Sequence, residues 1–259
     1  MRIARFSQND GNPRFGIVDG DDLVVLVGDP MFSGFETLDE RVPIADVKLL
    51  APVIPRSKVV CIGLNYAEHK QDMGNIGPTS PLMFLKPNTA VVGPGDAIQL
   101  PQNVGKIVHE GELVVVIGKI AKQIRAENFA DYVFGYTVGN DVSARDLMAT
   151  DGQWGRAKGF DTFAPIGPWI ETELDPQDLE ISTFVDGEPR RHGFTRDMLH
   201  PVAEIVAFAS DVFTLLPGDI IMTGTPGGLG GFVAGETVDI TISGIGTLSN
   251  PAIERPQRS

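Results

Sequence analysis

Apolar residues in this chain come in short runs cut by glycine, proline and aspartate, a rhythm that predicts strands more often than helices. Leu113-Val114-Val115-Val116-Ile117 is a continuous apolar run of the length of a buried strand. Val238, Ile240 and Ile242 alternate with polar residues, as on a half-buried strand, and Met1-Arg2-Ile3-Ala4-Arg5 opens with a similar alternation. Asp19-Gly20 separates Gly16-Ile17-Val18 from Leu23-Val24-Val25-Leu26, a hairpin with a slightly lengthened loop, and Asp186-Gly187 follows Ser182-Thr183-Phe184-Val185 as a second hairpin signal. Helical spacing is rarer. Val202, Ile205, Val206, Ala209 and Phe213 predict a helix over 201–213, with Pro201 at its start and Pro217-Gly218 beyond its end. A second helix is expected over 125–134 and a short third from Tyr66 to about Met73, ahead of a stretch at 74–81 rich in turn formers; together these last two suggest a lid. Ala51-Pro52 and Pro55 divide a small N-terminal β-rich domain (1–55) from a main domain (56–259). The fold class is α+β, predominantly β.

Composition narrows the function. The 259 residues suffice for one large domain with an appendage, and 42% hydrophobic against 21% charged residues is the balance of a packed globule. A net charge of −13 argues against nucleic acid, whose phosphates need basic patches, and against anionic membrane surfaces. No apolar run reaches the length of a bilayer span, and the N-terminus reads as a strand and not a signal peptide, so the expected location is the cytoplasm. The single cysteine, Cys61, sits in an apolar stretch, where a buried inert thiol is expected.

The candidate chemistry begins at Glu110-Gly111-Glu112, just before the apolar run. Alternation places the two glutamates on one face, where their carboxylates repel unless a cation lies between them, and Asp141 offers a third oxygen ligand. Oxygen-only ligation selects Mg²⁺ or Mn²⁺, with Ca²⁺ as a possible substitute, over Zn²⁺, and leaves about three octahedral positions open. The plainer alternative is a solvated acidic strand end. Arg145 is a cation for a substrate carboxylate, or else a surface partner of Asp146 or Asp151. Lys158, between glycines and aromatics, is expected either to be partly desolvated with a lowered pKa suited to proton transfer or charge stabilisation, or simply exposed. His69 and Asp72, three apart on the proposed lid helix, form either a water-activating pair or a helical surface pair. Thr223-Gly224-Thr225-Pro226-Gly227-Gly228 carries N–H groups and hydroxyls able to cradle an anion. A dinucleotide loop is rejected, because Pro226 lacks a donor and no helix with a suitably spaced acidic residue follows.

Several stretches, in this order, resemble the fumarylacetoacetate hydrolase family: Ile62-Gly63-Leu64-Asn65-Tyr66-Ala67-Glu68-His69, Phe84-Leu85-Lys86-Pro87, Glu110-Gly111-Glu112-Leu113, Asn140-Asp141-Val142-Ser143-Ala144-Arg145-Asp146, Lys158-Gly159-Phe160-Asp161-Thr162 and Thr223–Gly228. The resemblance covers about 56–245. It implies a mixed β-roll or sandwich with few helices and a homodimer. It implies Mg²⁺ or Mn²⁺ on Glu110, Glu112 and Asp141, a pocket lined by Lys158 and the Gly224–Thr225 loop, and a lid carrying His69. Two positions depart from the family pattern: Asp72, where glutamate is frequent, and Met148, where many members have glutamine. The implied substrate is a small anionic 2-oxo acid. The implied reaction is metal-dependent hydrolysis of a C–C bond in a β-diketo acid of acylpyruvate or fumarylpyruvate type through a stabilised enolate. Oxaloacetate decarboxylation and 2-hydroxyhepta-2,4-diene-1,7-dioate or 5-carboxymethyl-2-hydroxymuconate isomerisation are alternatives in the same site, and a metal-binding non-catalytic homologue is the alternative of a different class.

Overall fold

The structure is a computed structural model in which residues 1–9, 11–68, 79–228 and 230–256 are described. Two antiparallel-dominated sheets pack face to face. The larger, twelve-stranded among the described residues, runs in the order Thr37–Pro43, Asp22–Leu26, Arg14–Asp19, Arg2–Ser7, Ala164–Glu171, Val133–Asn140, Gly111–Ile117, Ile220–Met222, Val59–Gly63 and Leu82–Lys86, with Lys48–Leu50 and Val91–Val92 attached at its side. The smaller orders Glu188–Phe194, Glu180–Val185, Thr237–Ile242, Gly246–Glu254 and Ile98–Leu100. The N-terminal strands do not make a separate sheet. Arg2 and Ile3 pair with Glu171 and Ile170, so the first hairpins extend the main sheet.

The buried strand expected at 113–117 is the centre of this architecture. Leu113, Val115 and Ile117 face the core between the sheets with Ile181, Val238, Ile240 and Ile242, while Val114 and Val116 pack on the other side with Val59, Cys61, Ile166 and Met222. A strand buried on both faces reads as an unbroken apolar run for this reason. Cys61 is buried and free; burial, followed by the Asp141 carboxylate, pushes its thiol well above the ordinary range, which makes it inert as expected.

The Asp186-Gly187 hairpin forms with Val185 opposite Glu188 and both turn residues at positive φ (50° and 78°), the twist-matching turn that favours this dipeptide. The first hairpin is tighter than expected: Asp19 pairs with Asp22, leaving only Gly20 and Asp21 in the loop, because Gly20 accepts φ 62° and lets the ladder continue one residue further. The helix expected at 201–213 spans Val202–Val212, burying Val202, Ile205, Val206 and Ala209. That expected at 125–134 is instead a 3-10 helix, Ala126–Asp131. Its N–H groups reach back three residues, Asn128 to Arg125 and Tyr132 to Phe129, and no side chain caps its start, so nothing extends it into an α-helix. The third expected helix falls mainly in 69–78, outside the described residues; Ala67 and Glu68 are helical.

Candidate metal centre

The sheet register brings Glu110, Glu112 and Asp141 together. Gly111 pairs with Asn140 and Glu112 with Gly139, which sets Asp141, one residue past its strand, beside Glu110. The Asp141 N–H donates to Glu110 O (2.9 Å) and the Glu110 N–H to Asn140 Oδ1 (3.0 Å), locking the two strand ends. All three carboxylates are buried, and one oxygen of each lies within 4.8 Å of the others. The solvated strand end is thereby excluded. Gly111 has a steric role between the glutamates. A Cβ there would sit 2.7 Å from Thr183 Oγ1 and 2.9 Å from Ile240 Cγ2, so glycine lets the second sheet close behind the acidic face.

Two ammonium groups enter the cluster. Lys158 is only 2% exposed, and its Nζ donates to Glu110 Oε2 and Asp141 Oδ2, each at 2.6 Å. It ends the short helix Gly155–Lys158 and lies 5.1 Å from the Phe84 ring centroid and 5.9 Å from that of Trp154. The exposed reading of this lysine is thus wrong, and so is the expected direction of its pKa. Burial alone would lower it, but the Asp141 and Glu110 carboxylates more than offset burial and raise it, which favours the ammonium form. Lys86, the last residue of its strand, is equally buried and donates to Asp141 Oδ1 (2.5 Å) and Val142 O (3.1 Å). In the sequence Lys86 stands only inside a matched motif, with no role of its own. Its one local signal was a lysine closing the apolar strand Leu82–Lys86.

The loop after Ile220–Met222 closes the site from a third side. The Gly224 N–H donates to Glu112 Oε2 (2.8 Å). Gly224 has φ 97°, and a Cβ on it would approach Asn65 Cβ to 2.7 Å, so both conformation and space require glycine. Thr225 is buried and its Oγ1 accepts from Arg191 Nη1 (2.7 Å), which also donates to Pro226 O (3.1 Å). Beside this loop a cavity is lined by Tyr66, Glu68, Phe194, Asp197 and Pro226. The Tyr66 hydroxyl is buried with no hydrogen-bond partner among the described residues. Burial, then the Glu112 and Asp197 carboxylates, raise its pKa, so it keeps its proton. Arg145 opens the helix Arg145–Asp151 and is half-buried; Asp151 is engaged by Arg156. Met148 belongs to the hydrophobic core. His69 and Asp72 lie outside the described residues.

This donor set fits a hard divalent cation. Every ligand atom is oxygen, and burial, then Asp141 and Glu110, drive the Glu112 carboxyl well above the usual carboxylate range, although Lys158 and the Gly224 N–H pull the other way. Nearby His109 cannot help with charge: burial, then Arg191, lower its pKa to about 3, so the imidazole is neutral. Three carboxylates and two ammonium groups leave the cluster formally at −1, a deficit that a dication turns into a surplus suited to anionic substrates.

Residues 58–253 match the family model described as "Fumarylacetoacetate (FAA) hydrolase C-terminal", and residues 1–52 match "Rv2993c-like, N-terminal". The chain is 48% identical to "Protein Rv2993c" of Mycobacterium tuberculosis, covering 98% of this chain and 99% of that one. A crystal structure of 5-carboxymethyl-2-hydroxymuconate delta-isomerase from Mycobacterium smegmatis superposes with a TM-score of 0.91 at 46% identity, covering 98% of this chain and 100% of the other. Maleylpyruvate hydrolase from Sphingobium sp. SYK-6, solved with manganese (II) ion and pyruvate, superposes with a TM-score of 0.84 at 32% identity, covering 99% and 100%. With most of its length matched by the family model and its fold shared with these relatives, the chain belongs to the fumarylacetoacetate hydrolase family.

Proposed function

We propose that this protein is a Mg²⁺- or Mn²⁺-dependent hydrolase that cleaves a C–C bond of a β-diketo acid of acylpyruvate or fumarylpyruvate type. The observation that carries the reading is the buried cluster of Glu110, Glu112 and Asp141 with Lys158 and Lys86. A divalent ion held by the three carboxylates would withdraw electrons from the 2-oxo and carboxylate oxygens of such an acid, favouring the enolate common to the family's reactions. The chain's own groups then divide the remaining work. Lys158, as an ammonium, offsets substrate negative charge at the ligand oxygens, while Phe84 and Trp154 keep water from it. Lys86 and the Gly224 N–H orient Asp141 and Glu112. Tyr66 keeps its proton and is suited to donate to a substrate oxygen. Arg145 and the Thr225 loop receive the substrate's anionic groups, and His69 with Asp72 activates the water that hydrolysis needs. The manganese and pyruvate in the Sphingobium hydrolase are in keeping with this scheme.

A second reading, double-bond isomerisation, is favoured by the higher identity to the mycobacterial isomerase, 46% against 32% for the hydrolase. Isomerisation needs the electron sink but no activated water. A panel of an acylpyruvate, maleylpyruvate, oxaloacetate and a hydroxymuconate analogue, assayed with Mg²⁺, Mn²⁺ and excess EDTA, separates the two. Release of pyruvate from an acylpyruvate, lost in EDTA, is expected. Full activity in chelator, or turnover of the muconate analogue alone, would overturn the hydrolase reading. His69→Ala is expected to cripple hydrolysis far more than oxaloacetate decarboxylation, and equal losses would remove His69 from water activation.

A further inference from the structure

We infer that Lys86 is a positioning residue that makes Asp141 a one-oxygen ligand, and so biases the acidic cluster toward small octahedral dications and against calcium. The inference rests on reading the cluster as a metal centre. Both Asp141 oxygens are engaged by protein donors: Lys86 Nζ on Oδ1 at 2.5 Å and Lys158 Nζ on Oδ2 at 2.6 Å. Binding through both oxygens at once would require an ion to share each of them with an ammonium group. Binding through one oxygen disturbs a single contact.

The two lysines are not equivalent. Lys158 is divided between Glu110 and Asp141. Among the described residues Lys86 forms its ion pair with Asp141 alone. It is also the harder of the two to displace. Its strand is fixed by the pairing of Val59 with Lys86. Its ammonium is held as well by Val142 O, whose own N–H is tied to Phe163 O. Leaving Asp141 would strand a charge at 2% exposure in the interior.

The consequence follows from coordination chemistry. Ca²⁺ takes about six to eight oxygens and commonly gathers them through two-oxygen carboxylates, whereas Mg²⁺ needs a near-regular octahedron and keeps several waters. A site whose aspartate gives one oxygen falls short of calcium's coordination number and suits an octahedron completed by waters or a chelating acid.

The test uses the full chain stripped of metal and titrated calorimetrically with MgCl₂ and with CaCl₂. Lys86→Met is expected to raise the ratio of Ca²⁺ to Mg²⁺ affinity about tenfold, the scale typical of groups that orient metal ligands. An unchanged ratio in a variant with wild-type circular dichroism overturns the inference. The wild type supplies a second readout that does not depend on the variant folding. Its crystal structure soaked in Ca²⁺ is expected to show Asp141 bound through one oxygen with Lys86 still in hydrogen-bond contact; two-oxygen binding overturns the inference. A wild type that binds neither ion overturns the metal reading itself, a result distinct from binding with an unchanged ratio.

Discussion

Replacing Glu112 by glutamine is expected to reverse the protein's stability order between chelator and metal. The three ligand oxygens lie within 4.8 Å of one another. At that distance and an effective dielectric of 20, each like-charge pair costs about 3.5 kcal/mol. Glu112 faces two such neighbours, with Lys158 offsetting part of the repulsion; burial first, then the Asp141 and Glu110 carboxylates, raise its carboxyl pKa. Glutamine removes the charge, keeps the shape and retains an oxygen for the Gly224 N–H. In EDTA the variant is therefore expected to gain roughly 1–3 kcal/mol. That corresponds to a melting temperature higher by about 2–12 °C in a domain of this size. Mg²⁺ at a thousand times its Kd stabilises the wild type by about 4.1 kcal/mol, because it binds only the folded state. The variant lacks one of three carboxylate ligands and its charge, and should gain almost none of this, so the order of melting inverts. Calorimetric scans of both proteins in EDTA and in Mg²⁺ decide the matter. A variant that melts at or below the wild type in EDTA refutes the like-charge argument, and equal Mg²⁺ shifts in both proteins refute the triad as the ion's seat.

Gly111→Ala should destabilise by about 1–3 kcal/mol through overpacking against Thr183 and Ile240, and should weaken Mg²⁺ binding by spreading the glutamates; urea unfolding at wild-type strength would contradict it. Asp219 is buried and accepts from Ser57 N–H and Oγ, Lys58 N–H and Nζ, and Leu216 N–H. Burial raises its pKa, but the Lys58 side chain and the Leu216 N–H more than offset this, and the folded pKa is depressed. Its contribution is present above the unfolded value near pH 4 and is lost as pH falls through the folded one. Asp219→Asn should thus cost about 3 kcal/mol at pH 7, and the gap to wild type should shrink below about pH 4; urea midpoints with a constant gap would refute the assignment.

What the amino-acid order determined here was local. Turn dipeptides, the apolar run 113–117 and the spacing at 201–213 specify their elements because strand and helix periodicity depend on near neighbours. Alternation alone put Glu110 and Glu112 on one face, and the ordered motifs identified the family. Other features came only from the tertiary structure. Asp141 joins the glutamates through register with a neighbouring strand, and Lys86 reaches it across 55 positions of sequence. The sign of the Lys158 pKa shift depends on carboxylates from two other segments. A lysine between glycines has no local property that says whether water or an acid will face it. Charge acts through space, so its consequences are settled only when distant segments have packed.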